Sequence, residues 1–244
     1  MNLFDFLFPK YCVNCKKFGD FLCSNCFSRL SFDTKNICLV CGNPSYDGLT
    51  HPRCRGRYRI EGSFTGVVFN SVSKKLIYQF KYKPYLSSLS SFLTDLLYES
   101  LIQNENFNKT LGSQLLFIPI PLSAAKLRKR GYNQAEILAK GLSRKFGSPC
   151  LNLLKRVRET KSQVGLNKKE RKENISGAFE IINHLPARLA AERAGKAGKS
   201  SIINHNIILV DDVLTTGSTF SEACSVLKRS GAAKVWAVAF AKED

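Results

Sequence analysis

From residue 60 onward, the apolar positions switch between two periods. Four short apolar runs have the length of strands: Phe64-Thr-Gly-Val-Val-Phe69, Leu115-Leu-Phe-Ile118, Ile207-Ile-Leu-Val210 and Val235-Trp-Ala-Val-Ala-Phe240. Between them, apolar residues recur three and four apart. Val72, Leu76, Ile77 and Phe80 share one helical face, and Leu89, Phe92, Leu93, Leu96 and Leu97 share another. Ala135, Leu138, Ala139, Leu142 and Phe146 form a third stripe, and Phe220, Ala223, Cys224 and Leu227 a fourth. Strand and helix in turn predict βαβ units, hence an α/β fold on a parallel sheet. Continuous apolar strands fit a sheet buried on both faces. The first 58 residues lack this pattern and predict a separate module, with the larger domain over 59–244. Residues 183–206 break the pattern again. Pro186 to Ser201 is rich in Ala, Gly, Lys and Arg, so 183–201 is expected to be a surface insertion.

Composition narrows the class. The chain has 244 residues, 44% hydrophobic and 23% charged, as a globular protein does. It has no apolar run long enough for a transmembrane helix. Met1 to Pro9 has no basic n-region and is interrupted by Asp5, so it predicts an apolar arm packed on the domain rather than an export signal. The expected location is cytoplasmic. The formal net charge is +18, which favours a polyanionic ligand such as a diphosphate or nucleic acid.

Seven of the nine cysteines fall before residue 55. They run Cys12-x2-Cys15, Cys23-x2-Cys26 and Cys38-x2-Cys41, and His51-x2-Cys54 completes a fourth pair. Eight soft or borderline ligands suit two tetrahedral Zn²⁺ ions. In a reduced compartment, thiols favour metal over disulfides. Full sites leave no open position for water, so both ions are expected to be structural. Seven thiolates with two zinc ions would remove three charges and leave about +15. The spacing leaves two pairings open. Sequential pairing gives Cys12/Cys15/Cys23/Cys26 and Cys38/Cys41/His51/Cys54; cross-bracing would exchange the middle pairs. Arg53, Arg55, Arg57 and Arg59 follow as a basic linker edge. Cys224 sits on an apolar helical face and reads as core.

The stretch Ile207 to Thr219 reads as strand, two carboxylates, small-polar loop and helix start. Thr215, Thr216, Gly217, Ser218 and Thr219 offer hydroxyls, a permissive glycine and the N–H groups of a helix start, which together suit a phosphate. Asp211 and Asp212 repel phosphate but accept hydrogen bonds from a diol or face a ligand-borne Mg²⁺. The pattern predicts a sugar-phosphate site. A GxxxxGK[ST] loop is absent, which argues against a P-loop NTPase.

The segment Ile207 to Thr219 resembles the ribosyl-diphosphate motif of type I phosphoribosyltransferases. That resemblance implies binding of 5-phosphoribosyl-1-diphosphate (PRPP) with Mg²⁺. Asp211 and Asp212 would then meet the ribose hydroxyls, and Thr215 to Thr219 would hold the 5-phosphate. A second segment, Ile118-Pro-Ile-Pro-Leu-Ser-Ala-Ala-Lys-Leu-Arg-Lys-Arg-Gly-Tyr-Asn-Gln-Ala-Glu136, follows a strand and enters a helix. Its Lys126, Arg128, Lys129 and Arg130 are candidates for neutralising the diphosphate. With the cysteine pairs, this segment resembles the ComF family, which is linked to natural transformation. Thr160, Gln163, Gly165, Leu166, Arg171, Asn174 and Gly177-Ala-Phe179 match a further ComF signature. The chain departs from the family pattern at His51, where many members have Cys, and at the insertion. The fold also implies a loop closing over the diphosphate, and the basic stretch Lys155 to Lys172 is placed for it.

Three functions are consistent with this reading: phosphoribosyl transfer to an unknown acceptor, PRPP sensing without turnover, and single-stranded DNA binding as part of an uptake machinery. For DNA, the exposed edge Arg53 to Arg59 is expected to matter more than the narrow sugar-phosphate pocket. Tyr58, Tyr78, Tyr82, Tyr85 and Tyr132 are candidate stacking residues.

Overall fold

A computed structural model describes residues 10–82, 87–111, 115–160, 167–182 and 205–243. The expected N-terminal arm, the insertion at 183–201, Tyr85 and the signature residues Gln163, Gly165 and Leu166 lie outside the described residues. No helix among the described residues is long and apolar enough to cross a membrane.

The sheet has four parallel strands: β1 (Gly62–Val68), β2 (Leu115–Pro119), β5 (Asn206–Leu214) and β6 (Lys234–Lys242). Their spatial order is β1-β6-β5-β2. A single helical turn, α1 (Ser24–Phe27), precedes the sheet, and three helices follow β1: α2 (Ser71–Tyr82), α3 (Ser87–Ile102) and α4 (Glu105–Leu111). After β2 come α5 (Ala124–Arg130) and α6 (Gln134–Phe146); α8 (Ser218–Arg229) joins β5 to β6. A small antiparallel ribbon, β3 (Leu154–Arg156) with β4 (Phe179–Ile181), carries α7 (Lys168–Ile175) between its strands.

The continuous apolar strands divide their side chains between two cores. Leu115, Phe117, Ile208, Val210, Trp236 and Val238 join one cluster with Leu76, Leu93 and Leu138. Leu116, Ile118, Ile207, Leu209, Val235 and Ala237 join the other with Phe220 and Leu227. Residues alternate across a strand, so a run apolar at every position needs cover on both faces. Each of the four helical stripes contributes to these cores. Cys224 is fully buried, as expected, and burial pushes its thiol up to about 12.

The cysteine-rich segment consists of two small ribbons packed on the larger domain. Residues between them run along β1: the Val68 N–H donates to the Ser31 carbonyl at 2.8 Å, and the Asn70 side-chain amide donates to the Arg29 carbonyl at 2.9 Å. This covers an edge strand that would otherwise offer free backbone groups. The second ribbon is tied on where β1 begins. Thr50 donates its hydroxyl to the Ile60 carbonyl at 2.6 Å and its N–H to the Glu61 carbonyl.

Candidate functional site

The strand bearing the two carboxylates runs further than its apolar core. β5 continues through Asp211 and Asp212 to Leu214, because β6 stays paired with it as far as Leu214 opposite Lys242. On the other side, β2 ends at Pro119, opposite Val210. Ile120 still donates its N–H to the Val210 carbonyl at 2.9 Å, but Pro121 has no N–H to continue the ladder. Beyond Val210, β5 therefore has an open flank at the carboxyl end of the sheet, where ligands of open α/β sheets bind.

Cations converge on this flank. Asp212 is buried and forms an ion pair with Lys81 Nζ of α2 at 2.7 Å. Asp211 accepts the N–H of Asp212 at 2.8 Å. Burial, then the charge of Asp212, pushes the Asp211 carboxyl up to about 7, with Lys81 and Arg156 opposing. Arg156 of β3 is half-buried with its guanidinium 5.7 Å from the Phe179 ring centre, and it donates to the Thr160 hydroxyl. Its Nε is buried and has no hydrogen-bond partner among the described residues. Desolvation and the nearby cations Arg156, Arg130 and Lys81 lower Lys126, and Asp211 opposes the shift.

The diphosphate candidates therefore divide. Ser123 caps α5, and Gly131, with φ of +82°, ends it. Lys126 and Arg130 belong to the cationic group around the carboxylates, and Arg130 also donates to Gln134. Arg128 and Lys129 are exposed on the same helix, and no described contact ties them to Asp211 or Asp212. Sequence reasoning missed Lys81, which comes from a remote helix. Lys81 lies one turn beyond Ile77, at the edge of the apolar stripe, a place that gives a lysine no special mark in the sequence.

The loop Thr215–Gly217 leads into α8 at Ser218. Gly217 caps the helix with φ of +74°, a left-handed conformation that favours glycine. The hydroxyls of Thr216 and Ser218 lie 2.9 Å apart. Thr219 falls in the first turn of α8. This brings hydroxyls and helix-start N–H groups beside the carboxylates.

The metal-ligand geometry resolves the pairing. Cys12, Cys15, Cys23 and Cys26 form one group, and Cys38, Cys41, His51 and Cys54 form the other. Within each group the ligand atoms lie within 4.8 Å of one another, the size of a tetrahedral shell. The arrangement is sequential rather than cross-braced. The two knuckles repeat the same backbone bonds: the N–H of Lys16 donates to the Cys12 carbonyl at 2.9 Å, and that of Gly42 to the Cys38 carbonyl at 2.7 Å. Burial raises the Cys12 thiol, but backbone N–H groups of Cys15, Cys23 and Asn14 outweigh it and lower the thiol to about 6. Burial likewise raises Cys38, and N–H groups of Cys41, His51 and Val40 bring it down to about 7. His51 fits as a ligand. Its Nε2 lies 3.0 Å from the Pro44 carbonyl, which can only accept, so the proton sits on Nε2. That leaves the Nδ1 lone pair free, 3.4 Å from Cys41 Sγ.

Comparison with known proteins agrees with this two-part construction. A double zinc ribbon domain matches residues 3–55, and a phosphoribosyl transferase domain matches residues 129–243. The chain is 31% identical to Competence protein F of Haemophilus influenzae, over 98% of this chain and 99% of that protein. The chain belongs to the ComF family. Two further relatives are Competence protein ComFC of Bacillus subtilis, 28% identical over 87% of this chain and 80% of its own, and DNA utilization protein YhgH of Escherichia coli K12, 30% identical over 88% and 87%. The ComF-family chain thus has two cysteine-rich zinc-binding sites joined to a phosphoribosyltransferase domain.

Proposed function

We propose that this ComF-family protein binds PRPP as its Mg²⁺ complex at the open flank of β5. The observation that carries this reading is the grouping of Lys81, Lys126, Arg130 and Arg156 around two carboxylates beside a phosphate-type loop. Four cations against two carboxylates leave a surplus that suits a polyanion. In this reading Thr215, Thr216, Gly217, Ser218 and Thr219 hold the 5-phosphate, and Asp211 and Asp212 accept from the ribose hydroxyls. Lys126, Arg130 and Arg156 face the diphosphate, with Arg128 and Lys129 outside them. Mg²⁺ arrives on the diphosphate, whose oxygens suit a hard cation.

Transfer would break the bond between ribose C1 and the diphosphate oxygen, with the electron pair leaving on diphosphate, and form a bond from C1 to an acceptor. The cations stabilise the departing charge. Sensing without turnover uses the same contacts and stops before that step. Diphosphate release across a panel of acceptors separates the two.

The direct test is a thermal shift with PRPP and Mg²⁺, because a ligand that binds only the native state stabilises it. The shift is expected to grow between pH 6 and pH 8. Asp211, with its carboxyl near 7, accepts a ribose hydroxyl best once it has lost its proton. The affinity gain should be about five- to tenfold over that interval. No shift at any pH would refute PRPP binding, and a pH-independent shift would refute the raised carboxyl of Asp211.

A second reading concerns DNA, and the names of the relatives support it. Arg53, Arg55, Arg57 and Arg59 are all exposed. The guanidiniums of Arg57 and Arg229 lie 5.4 Å and 5.6 Å from the centre of the Tyr58 ring, which adds a fifth arginine to the edge. Single-stranded DNA is proposed to follow this edge through phosphate contacts, in support of DNA uptake. Its affinity should fall steeply with salt. Anisotropy titrations with a labelled oligonucleotide should give the same affinity with and without saturating PRPP. Strong competition would move the DNA into the sugar-phosphate site, and no binding at low salt would remove the reading.

A further inference from the structure

The two knuckles place equivalent residues against different parts of the molecule. Val13 follows Cys12 in the first, and Leu39 follows Cys38 in the second. Both are buried. Val13 joins the core under α2 and α3, whereas Leu39 joins the core containing Leu214 and Phe220, the residues on either side of the phosphate loop.

Leu39 also covers Gly217 directly. A Cβ on Gly217 would lie 2.9 Å from Leu39 Cδ2, 3.2 Å from its Cβ and 3.3 Å from its Cδ1. The leucine therefore fills the space beside the one left-handed residue on which the loop turns into α8. Leu39 is itself held by the metal knuckle. Cys38 donates its N–H to the Asn43 carbonyl at 2.9 Å, and Gly42 closes the turn onto Cys38.

We propose that Leu39 is a positioning residue for the phosphate loop, so that the zinc-bound state of the second ribbon controls anion binding at residues 215–219. This rests on reading 215–219 as the phosphate loop. A metal held by Cys38, Cys41, His51 and Cys54 fixes the knuckle, the knuckle fixes Leu39, and Leu39 restricts Gly217. A loop ordered before binding loses less freedom on binding and so binds more tightly. Without the leucine, the loop N–H groups are free to leave the arrangement that receives a phosphate.

The test compares Leu39→Ala, Leu39→Met and Val13→Ala in the full-length, zinc-loaded protein. Hydrogen exchange of the amides of residues 215–219 is measured without ligand, and PRPP·Mg²⁺ affinity is measured by calorimetry. Leu39→Ala should raise exchange in the loop and weaken PRPP binding about tenfold. Leu39→Met, which keeps the volume, should restore most of both. Val13→Ala removes methyl groups from the equivalent knuckle position and should change neither. Cys41→Ser, with its zinc content lowered by one ion, should reproduce Leu39→Ala. Unchanged loop exchange in Leu39→Ala, or an equal rise in Val13→Ala, would overturn the proposal. If the wild type binds no PRPP, the sugar-phosphate reading fails while the exchange comparison still decides the coupling.

Discussion

Replacing Asp211 and Asp212 together with asparagine should weaken PRPP·Mg²⁺ binding about a hundredfold. Each carboxylate is read as accepting a ribose hydroxyl, and a hydrogen bond to a charged group contributes about 1.5–3 kcal/mol. Two weakened bonds plus the lost charge reach about 2.7 kcal/mol, or two powers of ten. The single variants should differ in the ligand-free protein. Asp211→Asn removes a carboxyl that burial and Asp212 push up to about 7. A raised carboxyl binds its proton more tightly when folded, so its contribution to stability is present at low pH and is lost as pH rises through about 7. Asp211→Asn should therefore raise the melting temperature above neutral pH. Asp212→Asn instead leaves Lys81 beside a neutral amide, 2.7 Å from the former carboxylate position, and should lower it. Calorimetry with PRPP and scanning calorimetry without it check both effects. Equal ligand stabilisation of wild type and double variant would remove the assigned diol contacts.

The opposite signs expected for two adjacent carboxylates come from structure that the sequence only partly carries. The alternation of strands and helices was legible because every long element buries a broad apolar stripe or a continuous apolar run, and those signals reach the cores intact. The end of β2 was also encoded locally, in Pro119 and Pro121. Short polar elements were not legible. α7, with the sequence KKERKENI, has no apolar face; it starts at a capping box between Asn167 and Glu170. β3 and β4 are three residues each, too short for periodicity to register.

The candidate site divides in the same way. The motif Asp211 to Thr219 lies within one strand-turn-helix unit, so its chemistry could be read from adjacent residues. The cations around it come from α2, α5 and β3, brought together only by the sheet order. Lys81 carries no local mark that separates it from the other lysines. Leu39 was hidden more deeply. Between two cysteines it reads as an incidental knuckle residue, and its role depends on a contact with Gly217, 178 positions away in the chain. The eight zinc-ligand candidates were the reverse case, since spacing alone named them, but the choice between sequential and crossed pairing needed three dimensions.

Zinc removal should have the other large effect, and its size follows from that packing. Elemental analysis of the purified protein should find close to two zinc ions per chain. Structural zinc contributes on the order of 10 kcal/mol to the folding of a small module at neutral pH. A whole domain has only about 5–15 kcal/mol of net stability. The ribbons lack enough apolar surface for a core of their own, yet Val13, Phe21, Leu22 and Leu30 of the first lie in the same cluster as Leu76 and Leu93 of the larger domain. Leu39 and Ile60 join the second cluster. Loss of the ribbons therefore exposes part of both cores. Exposing even three such side chains costs about 1.5–3 kcal/mol each. For a chain of this length, each kilocalorie lowers the melting temperature by about 2–4 °C. Cys12→Ser should unfold the first ribbon and lower the melting temperature by about 10 °C or more, while the far-ultraviolet signal of the parallel sheet persists at room temperature. The sheet persists because its four strands form a continuous parallel ladder with one another and stay covered by α3, α6 and α8. A zinc-free protein with an unchanged melting temperature, or intact disulfides under native conditions, would overturn the metal-binding reading of the ribbons.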